Sequence, residues 1–167
     1  FNGALDICTN DKERSQTWGY IGDIYHDMGK DNKAFKAYRK ALAYDSDNAL
    51  VLNNYAYFLS LRGEQMERAR TMSERAIKLE SNNATYIDTY AWILYYMGEL
   101  EEARTYMRQA LSLDRTGSAE LPLHYGDILF ALGERFMAET YWRKALEQGA
   151  DAKRIEQRIT IPKDTPK

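Results

Sequence analysis

The chain has 167 residues, 44% of them apolar and 29% charged, which fits one domain or one repeat array with a sizeable core. Its 23 Lys+Arg against 25 Asp+Glu leave a formal net charge of −2, so it lacks the basic field that a general nucleic-acid binder needs. Mean hydropathy is −0.63, and no apolar run approaches the roughly 20 residues of a bilayer-spanning helix, so no direct membrane insertion by this stretch is expected.

Residue 1 is Phe, and Phe1-Asn2-Gly3-Ala4-Leu5-Asp6-Ile7 reads as the end of a helix with no start signal before it. The expectation is a C-terminal portion or a processed product of a longer protein. Trp18, Ile21, Gly22 and Tyr25 then recur at i, i+3, i+4 and i+7, one stripe of a helix that Gly29 breaks. Ala34, Ala37, Tyr38, Ala41 and Leu42 make a second stripe, ended by Asp45-Ser46-Asp47-Asn48. Such clusters stop one helix and cap the next, because their side chains bond free backbone groups.

The pattern returns three more times. Gly29, Gly63, Gly98 and Gly133 are spaced 34, 35 and 35 residues apart. Ala41, Ala76, Ala110 and Ala145 keep 35, 34 and 35, and Gly22, Ala56, Ala91 and Gly126 keep 34, 35 and 35. Three series on one period predict repeats, each of two antiparallel helices of roughly 13–15 residues joined by a short turn. No strand signal occurs. Gly22, Ala34 and Ala41 are expected where two helix backbones approach closely, with Trp18, Ile21, Tyr25 and Tyr38 filling the space around them. One such hairpin cannot bury its own apolar face, so neighbouring hairpins must stack.

The predicted organisation runs as follows: residues 1–14 close a preceding repeat and link it; repeats occupy 15–48, 49–83, 84–114 and 119–149, together 15–149; a capping helix takes 150–160; residues 161–167 are a flexible tail. The second repeat carries one extra residue between Gly63 and Ala69. Residues 115–121 lengthen the link before the fourth, with Pro122 in its first helical turn. Asp151 is placed to cap a last helix from Ala152 to about Ile159, with Ile155 and Ile159 apolar and Lys153, Arg154, Glu156, Gln157 and Arg158 polar.

These residues resemble the tetratricopeptide repeat family, of bacterial type: four full repeats plus the end of a preceding one. The first repeat carries the resemblance as Trp18, Ile21-Gly22, Tyr25, Gly29, Ala34, Tyr38 and Ala41, and the second as Leu52, Tyr55-Ala56, Leu59, Gly63, Ala69 and Ala76, with Ser73 at the aromatic position. The third has Ile87, Tyr90-Ala91, Leu94, Gly98, Ala103, Met107 and Ala110; the fourth has Tyr125-Gly126, Leu129, Gly133, Ala138, Trp142 and Ala145. The family's proline is replaced by Ser46, Ser81, Arg115 and Gly149. The resemblance implies an all-α fold, an α-solenoid coiling as a right-handed superhelix of antiparallel helix pairs with a C-terminal capping helix.

It also implies function: a non-catalytic protein–protein interaction scaffold or adaptor, with the first helix of each repeat lining a concave groove. Matching positions give Asp23, His26 and Asp27; Asn53, Asn54 and Tyr57; Asp88, Trp92, Tyr95 and Tyr96; and His124 and Asp127, beside Ser60, Thr89 and Phe130. That surface is acidic and aromatic, suited to a protein or peptide segment carrying Lys, Arg or Pro. The competing expectation is that Tyr57, Trp92 and Tyr95 simply pack against neighbouring repeats. Some family members grip a C-terminal carboxylate with cationic residues flanking an Asn. Asn54 fits the Asn role, but Gly19, Thr85 and Thr89 stand at the flanking places, so that chemistry is not expected.

No catalytic residue, cofactor or metal site is read. Asp23/His26/Asp27 and His124/Asp127 have ligand-like spacing, but a catalytic zinc needs three protein ligands and a supporting shell. The lone Cys8 excludes an internal disulfide framework, has no nucleophile constellation and is read as an idle thiol. The alternatives to an adaptor are a structural self-association module, or an accessory region of a larger protein whose activity lies upstream. Asn53-Asn54-Tyr55-Ala56-Tyr57 and His124-Tyr125-Gly126-Asp127 are similar to repeats of bacterial envelope proteins, so a periplasmic or lipid-anchored location is expected over a cytoplasmic one.

Overall fold

The computed structural model describes residues 10–159. Phe1, Ala4, Cys8 and the tail after Ile159 lie outside the described residues, and so do the readings made on them. Among the described residues every regular element is an α-helix. The chain divides between Asn82 and Asn83 into two compact units. The first holds α1 (Asp11–Asp27), α2 (Asp31–Tyr44), α3 (Ala49–Leu61) and α4 (Met66–Leu79); the second holds α5 (Ala84–Tyr96), α6 (Leu100–Leu113), α7 (Glu120–Ala131), α8 (Arg135–Glu147) and α9 (Ala152–Ile159). This is an all-α helical-repeat protein of the solenoid class.

Turn chemistry makes the hairpins. At the end of α1, Gly29 has φ of +67°, a conformation that side-chain-bearing residues adopt at a cost. It lets the Gly29 N–H donate to the His26 carbonyl at 2.7 Å and the Lys30 N–H to the Tyr25 carbonyl at 2.8 Å. That pair of bonds satisfies carbonyls the helix end leaves open. Gly63, Gly98 and Gly133 close α3, α5 and α7 with the same pair. The extra residue of the second hairpin is absorbed by Gln65, whose φ of 49° is left-handed without being glycine. Its side-chain Oε1 accepts a bond from Arg68 at 3.1 Å.

Helix starts follow the Asn positions. Asn10, Asn48 and Asn83 cap α1, α3 and α5, each accepting a backbone N–H three residues on. Asn48 also donates from Nδ2 to Ser15 Oγ at 2.9 Å, tying the start of α3 to α1 across a buried serine. Asn48→Ala is therefore expected to lose a cap and an inter-helix bond together, about 1–2 kcal/mol. A lowered urea midpoint at unchanged slope is the check.

Before α7 the chain runs irregularly. Asp114 accepts from the Thr116 N–H at 2.9 Å, the Thr116 hydroxyl at 2.7 Å and the Ser118 N–H at 3.1 Å, and Gly117 takes φ of +69°. Burial pushes the Asp114 carboxyl up, but these donors outweigh it and hold it below the ordinary aspartate range. Pro122 stands in the first turn of α7, where its missing N–H costs nothing. Asp151 Oδ1 accepts the Lys153 N–H at 2.8 Å to start α9, which buries Ile155.

In the first and last pairs a glycine on the first helix faces a ring on the second. A Cβ on Gly22 would fall onto the Tyr38 ring, and one on Gly126 onto the Trp142 ring. The same places in the other pairs hold Ala56 with Ser73 and Ala91 with Met107, all four buried. At Gly22 and Gly126 the missing Cβ is what leaves room for the facing ring, as close packing requires. Gly19 adds a close approach between pairs: a Cβ there would lie 2.7 Å from Val51 Cγ2.

Candidate functional site

In the first unit the groove residues gather on α1 and α3. Asp23 accepts from the Tyr38 hydroxyl at 2.6 Å and from Asn54 Nδ2 at 3.1 Å. Burial, then the bond to Asp23, pushes the Tyr38 phenol far above its usual range. His26 Nδ1 meets Asp31 Oδ1 at 3.1 Å, and its ring stacks on Phe58 with centroids 3.5 Å apart. Asn54 Oδ1 accepts from Asn53 Nδ2 at 3.3 Å. Tyr57 is half-buried against Phe58, and Asp27 is exposed at the end of α1. Beside these lies a cleft of about 230 Å³. Asp23 and Asn54 line it, with Tyr20 (61% exposed) and Leu50 as its outer walls.

In the second unit the predicted residues form one stack. Trp92 lies face to face with the His124 ring at 4.0 Å and with Tyr95 at 4.8 Å, and Tyr96 meets its edge at 5.2 Å. His124 is held between carboxylates: Nδ1 bonds Asp88 Oδ1 at 2.8 Å, and Nε2 stands 3.6 Å from Glu120 Oε2. Burial pulls the imidazole down, but Asp88, Glu120 and Asp127 outweigh it and hold its pKa above the ordinary value. Burial, then the nearby Asp127, pushes the Tyr95 phenol up.

Sequence reasoning missed the helix α9 contribution. Arg158 grips Asp127 with Nε at 2.6 Å and Nη2 at 2.8 Å, while Trp142 Nε1 donates to the same carboxylate at 2.9 Å. Arg154 holds Glu120 at 2.7 and 3.2 Å, and that bond above all keeps the Glu120 carboxyl below its usual range. A signal was present: Arg158 follows Asp127 by 31 residues, as Asn54 follows Asp23, and Trp142 follows Asp127 by 15, as Tyr38 follows Asp23. The two units thus build the same device. A carboxylate after the close-contact glycine takes a ring donor from its own pair and a side-chain donor from the next first helix.

Two readings change. Asn53, Asp88, Trp92 and His124 are buried, as are Ser60 and Thr89, so they stand beneath the face and not on it. The Trp92 ring lies against His124 of α7 and against Tyr95 and Tyr96 of its own helix. The second unit's face is also not acidic overall, because Asp88, Glu120 and Asp127 are matched by His124, Arg154 and Arg158. Asp23 differs: both groups bonded to it are neutral. His26 and His124 are each spent on a carboxylate, and among the described residues no group of three or more potential ligands could hold a metal ion. No described helix is long and apolar enough to cross a membrane.

Helix pairs on a 34–35-residue period, closed by glycines and packed through close glycine-to-ring contacts within the first and last pairs, define a helical-repeat protein. A TPR repeat model matches residues 22–59, and a tetratricopeptide repeat model matches residues 84–116. The chain belongs to the tetratricopeptide repeat family. It is similar in fold to pilF of Pseudomonas aeruginosa, solved in a study of that protein's function, with TM-score 0.75 and 24% identity over 94% of this chain and 69% of that one. It is likewise similar to MamA, with TM-score 0.68 and 22% identity over 88% of this chain and 83% of that one. The first TPR of Spaghetti (RPAP3), solved bound to the HSP90 peptide SRMEEVD, aligns with TM-score 0.67 and 21% identity over 74% of this chain and 97% of that one. No curated protein matches the chain in sequence.

Proposed function

We propose that the chain is a non-catalytic scaffold that holds a peptide or protein segment, and that its first unit seats a Lys or Arg side chain of that segment on Asp23. The observation that carries this is the cleft between α1 and α3. Its floor holds a half-buried carboxylate bonded only to neutral donors, and its wall is an exposed tyrosine. An alkyl stem can lie against Tyr20 and Leu50 while the cationic head pairs with Asp23. The repeat family and the peptide-bound relative support binding of a polypeptide in general. The peptide SRMEEVD, with two Glu and a terminal Asp against a single Arg, is a poorer match to an Asp23 floor than a basic segment. The bacterial-envelope location expected from the sequence stays with this proposal.

An arrayed library of Lys/Arg-rich, Pro-rich and acidic peptides tests it by fluorescence anisotropy. The basic set is expected to bind best, and Asp23→Asn, which keeps an acceptor for Tyr38, is expected to erase the preference. Tyr20→Ala is expected to weaken binding about tenfold, about 1.4 kcal/mol. Equal binding of all three sets by wild type and both variants would show that this cleft is not the site.

A further inference from the structure

The far end of the second unit carries an open apolar cleft of about 310 Å³ between α7, α8 and α9. Phe130, Trp142 and Ile159 line it, and Phe136 stands at its rim, 82% exposed. The Phe130 and Trp142 rings lie 5.5 Å apart between centroids. Ile159 is the last residue of α9.

Register with the first unit shows what fills such a seat. Arg158 reaches Asp127 across 31 residues, as Asn54 reaches Asp23. Ile155 and Val51 stand three residues before those donors, and both are buried. Helix α9 therefore stands to α7 and α8 as α3 stands to α1 and α2. Phe130 and Trp142 hold the places of His26 and Tyr38, 3 and 15 residues after the aspartate. In the first unit Phe58 covers those places, its ring centroid 3.5 Å from that of His26 and 6.2 Å from that of Tyr38. The place of Phe58 is taken by Ile93 in α5 and Ile128 in α7, both fully buried. Phe58 follows Asn54 by four residues, and four residues after Arg158 comes Pro162.

We propose that the chain's own residues 160–167 occupy this cleft, and that Pro162 lies against the Phe130 and Trp142 rings as Phe58 lies against His26 and Tyr38. The chain reaches the cleft at Ile159, and three further residues span at most about 10 Å, which brings Pro162 over its lining. Pro162 has no N–H for the Arg158 carbonyl and disfavours helical backbone at Ile161, so α9 cannot simply run on past the cleft. A proline ring is a rigid apolar group of the kind that aromatic-lined grooves accept. Tethering decides between occupants. A segment joined to the cleft's edge meets it at an effective concentration on the order of millimolar, which a second copy or another partner at micromolar concentration does not match. The proposal does not depend on the peptide cleft of the first unit.

Proton NOE spectra of the full chain read the contact directly. The Pro162 ring protons are expected to give cross-peaks to the Phe130 and Trp142 rings and to be shifted upfield by them. In a mixture of isotope-labelled and unlabelled chains, those cross-peaks are expected within one chain and not between two. Pro162→Ser is expected to raise the unfolding equilibrium constant about tenfold in the wild-type background and to change it little in a Phe130→Ala background. Absence of the cross-peaks overturns the proposal and leaves the cleft to another chain. Cross-peaks found only between labelled and unlabelled chains overturn it as well, and give the cleft to a second copy. Equal losses from Pro162→Ser in both backgrounds would mean that the proline acts through the end of α9 and not through the cleft.

Discussion

Gly126→Ala should destabilise the second unit by about 2 kcal/mol, although alanine is the better helix former by nearly 1 kcal/mol. The added Cβ would fall on Cδ1 and Nε1 of Trp142 and lie 3.1 Å from the Ala138 carbonyl oxygen. The indole cannot swing aside freely. It is buried, and its Nε1 is tied to Asp127 at 2.9 Å, a carboxylate that Arg158 also holds. The same unit suggests a compensated solution, since Ala91 and Met107 hold the places in register with Gly126 and Trp142 and both are fully buried. Gly126→Ala combined with Trp142→Met should therefore lose less than the two single changes added together, by about 1–2 kcal/mol. Gly133→Ala is the contrasting control. Its Cβ would meet nothing within 4 Å, but its φ of +85° charges a backbone cost whatever the partner. Urea denaturation of the four variants decides the matter: strict additivity of the Gly126 and Trp142 changes would mean that their contact is not what the glycine protects.

This coupling marks where sequence reading succeeded and where it stopped. The glycine and alanine series announce helix pairs, because only small residues allow close axes and only glycine takes the left-handed turn cheaply. The first helices could be placed from that spacing alone. Which face residues stay exposed could not, because that depends on neighbours far along the chain. Asp88 and His124 are 36 residues apart and bury each other's charge. Asp127 reads as a surface acid until Arg158, 31 residues on, is seen to cover it. Composition counted an acidic, aromatic face; pairing across adjacent helices neutralised its second half and left Asp23 bonded to neutral donors alone. The Gly-Asp dipeptides at 22–23 and 126–127, each followed by a ring donor 15 residues after the aspartate, were the readable trace of that difference.

Replacing Asp88 should expose a second large effect, and one that depends on pH. His124 is the hub: Asp88 of α5 meets one ring nitrogen, Glu120 of α7 faces the other, Asp127 of α7 adds its field, and Arg154 and Arg158 of α9 hold those last two carboxylates. The folded state thus raises the imidazole pKa above its ordinary 6.5, even though burial alone would lower it. A raised pKa means that the fold binds the proton more tightly than the unfolded chain does. That contribution is fully present below pH 6.5 and is lost as pH climbs through the raised value. The acid side is governed by Glu120, whose lowered pKa supplies stability above its ordinary 4.5 that is lost as pH falls through the folded value. Between those two windows Asp88→Ala leaves a buried imidazolium short of its nearest partner and should cost about 3 kcal/mol. Asp88→Asn keeps an oxygen for Nδ1–H and removes only the charge, so it should cost less. For both variants the gap to wild type should narrow as the pH is raised past the His124 transition. Following that ring by NMR while chemical denaturation is measured across the same range ties the two together. A gap that stays constant with pH, or a His124 transition unmoved by Asp88→Asn, would mean that the carboxylate holds the stack by shape and not by charge.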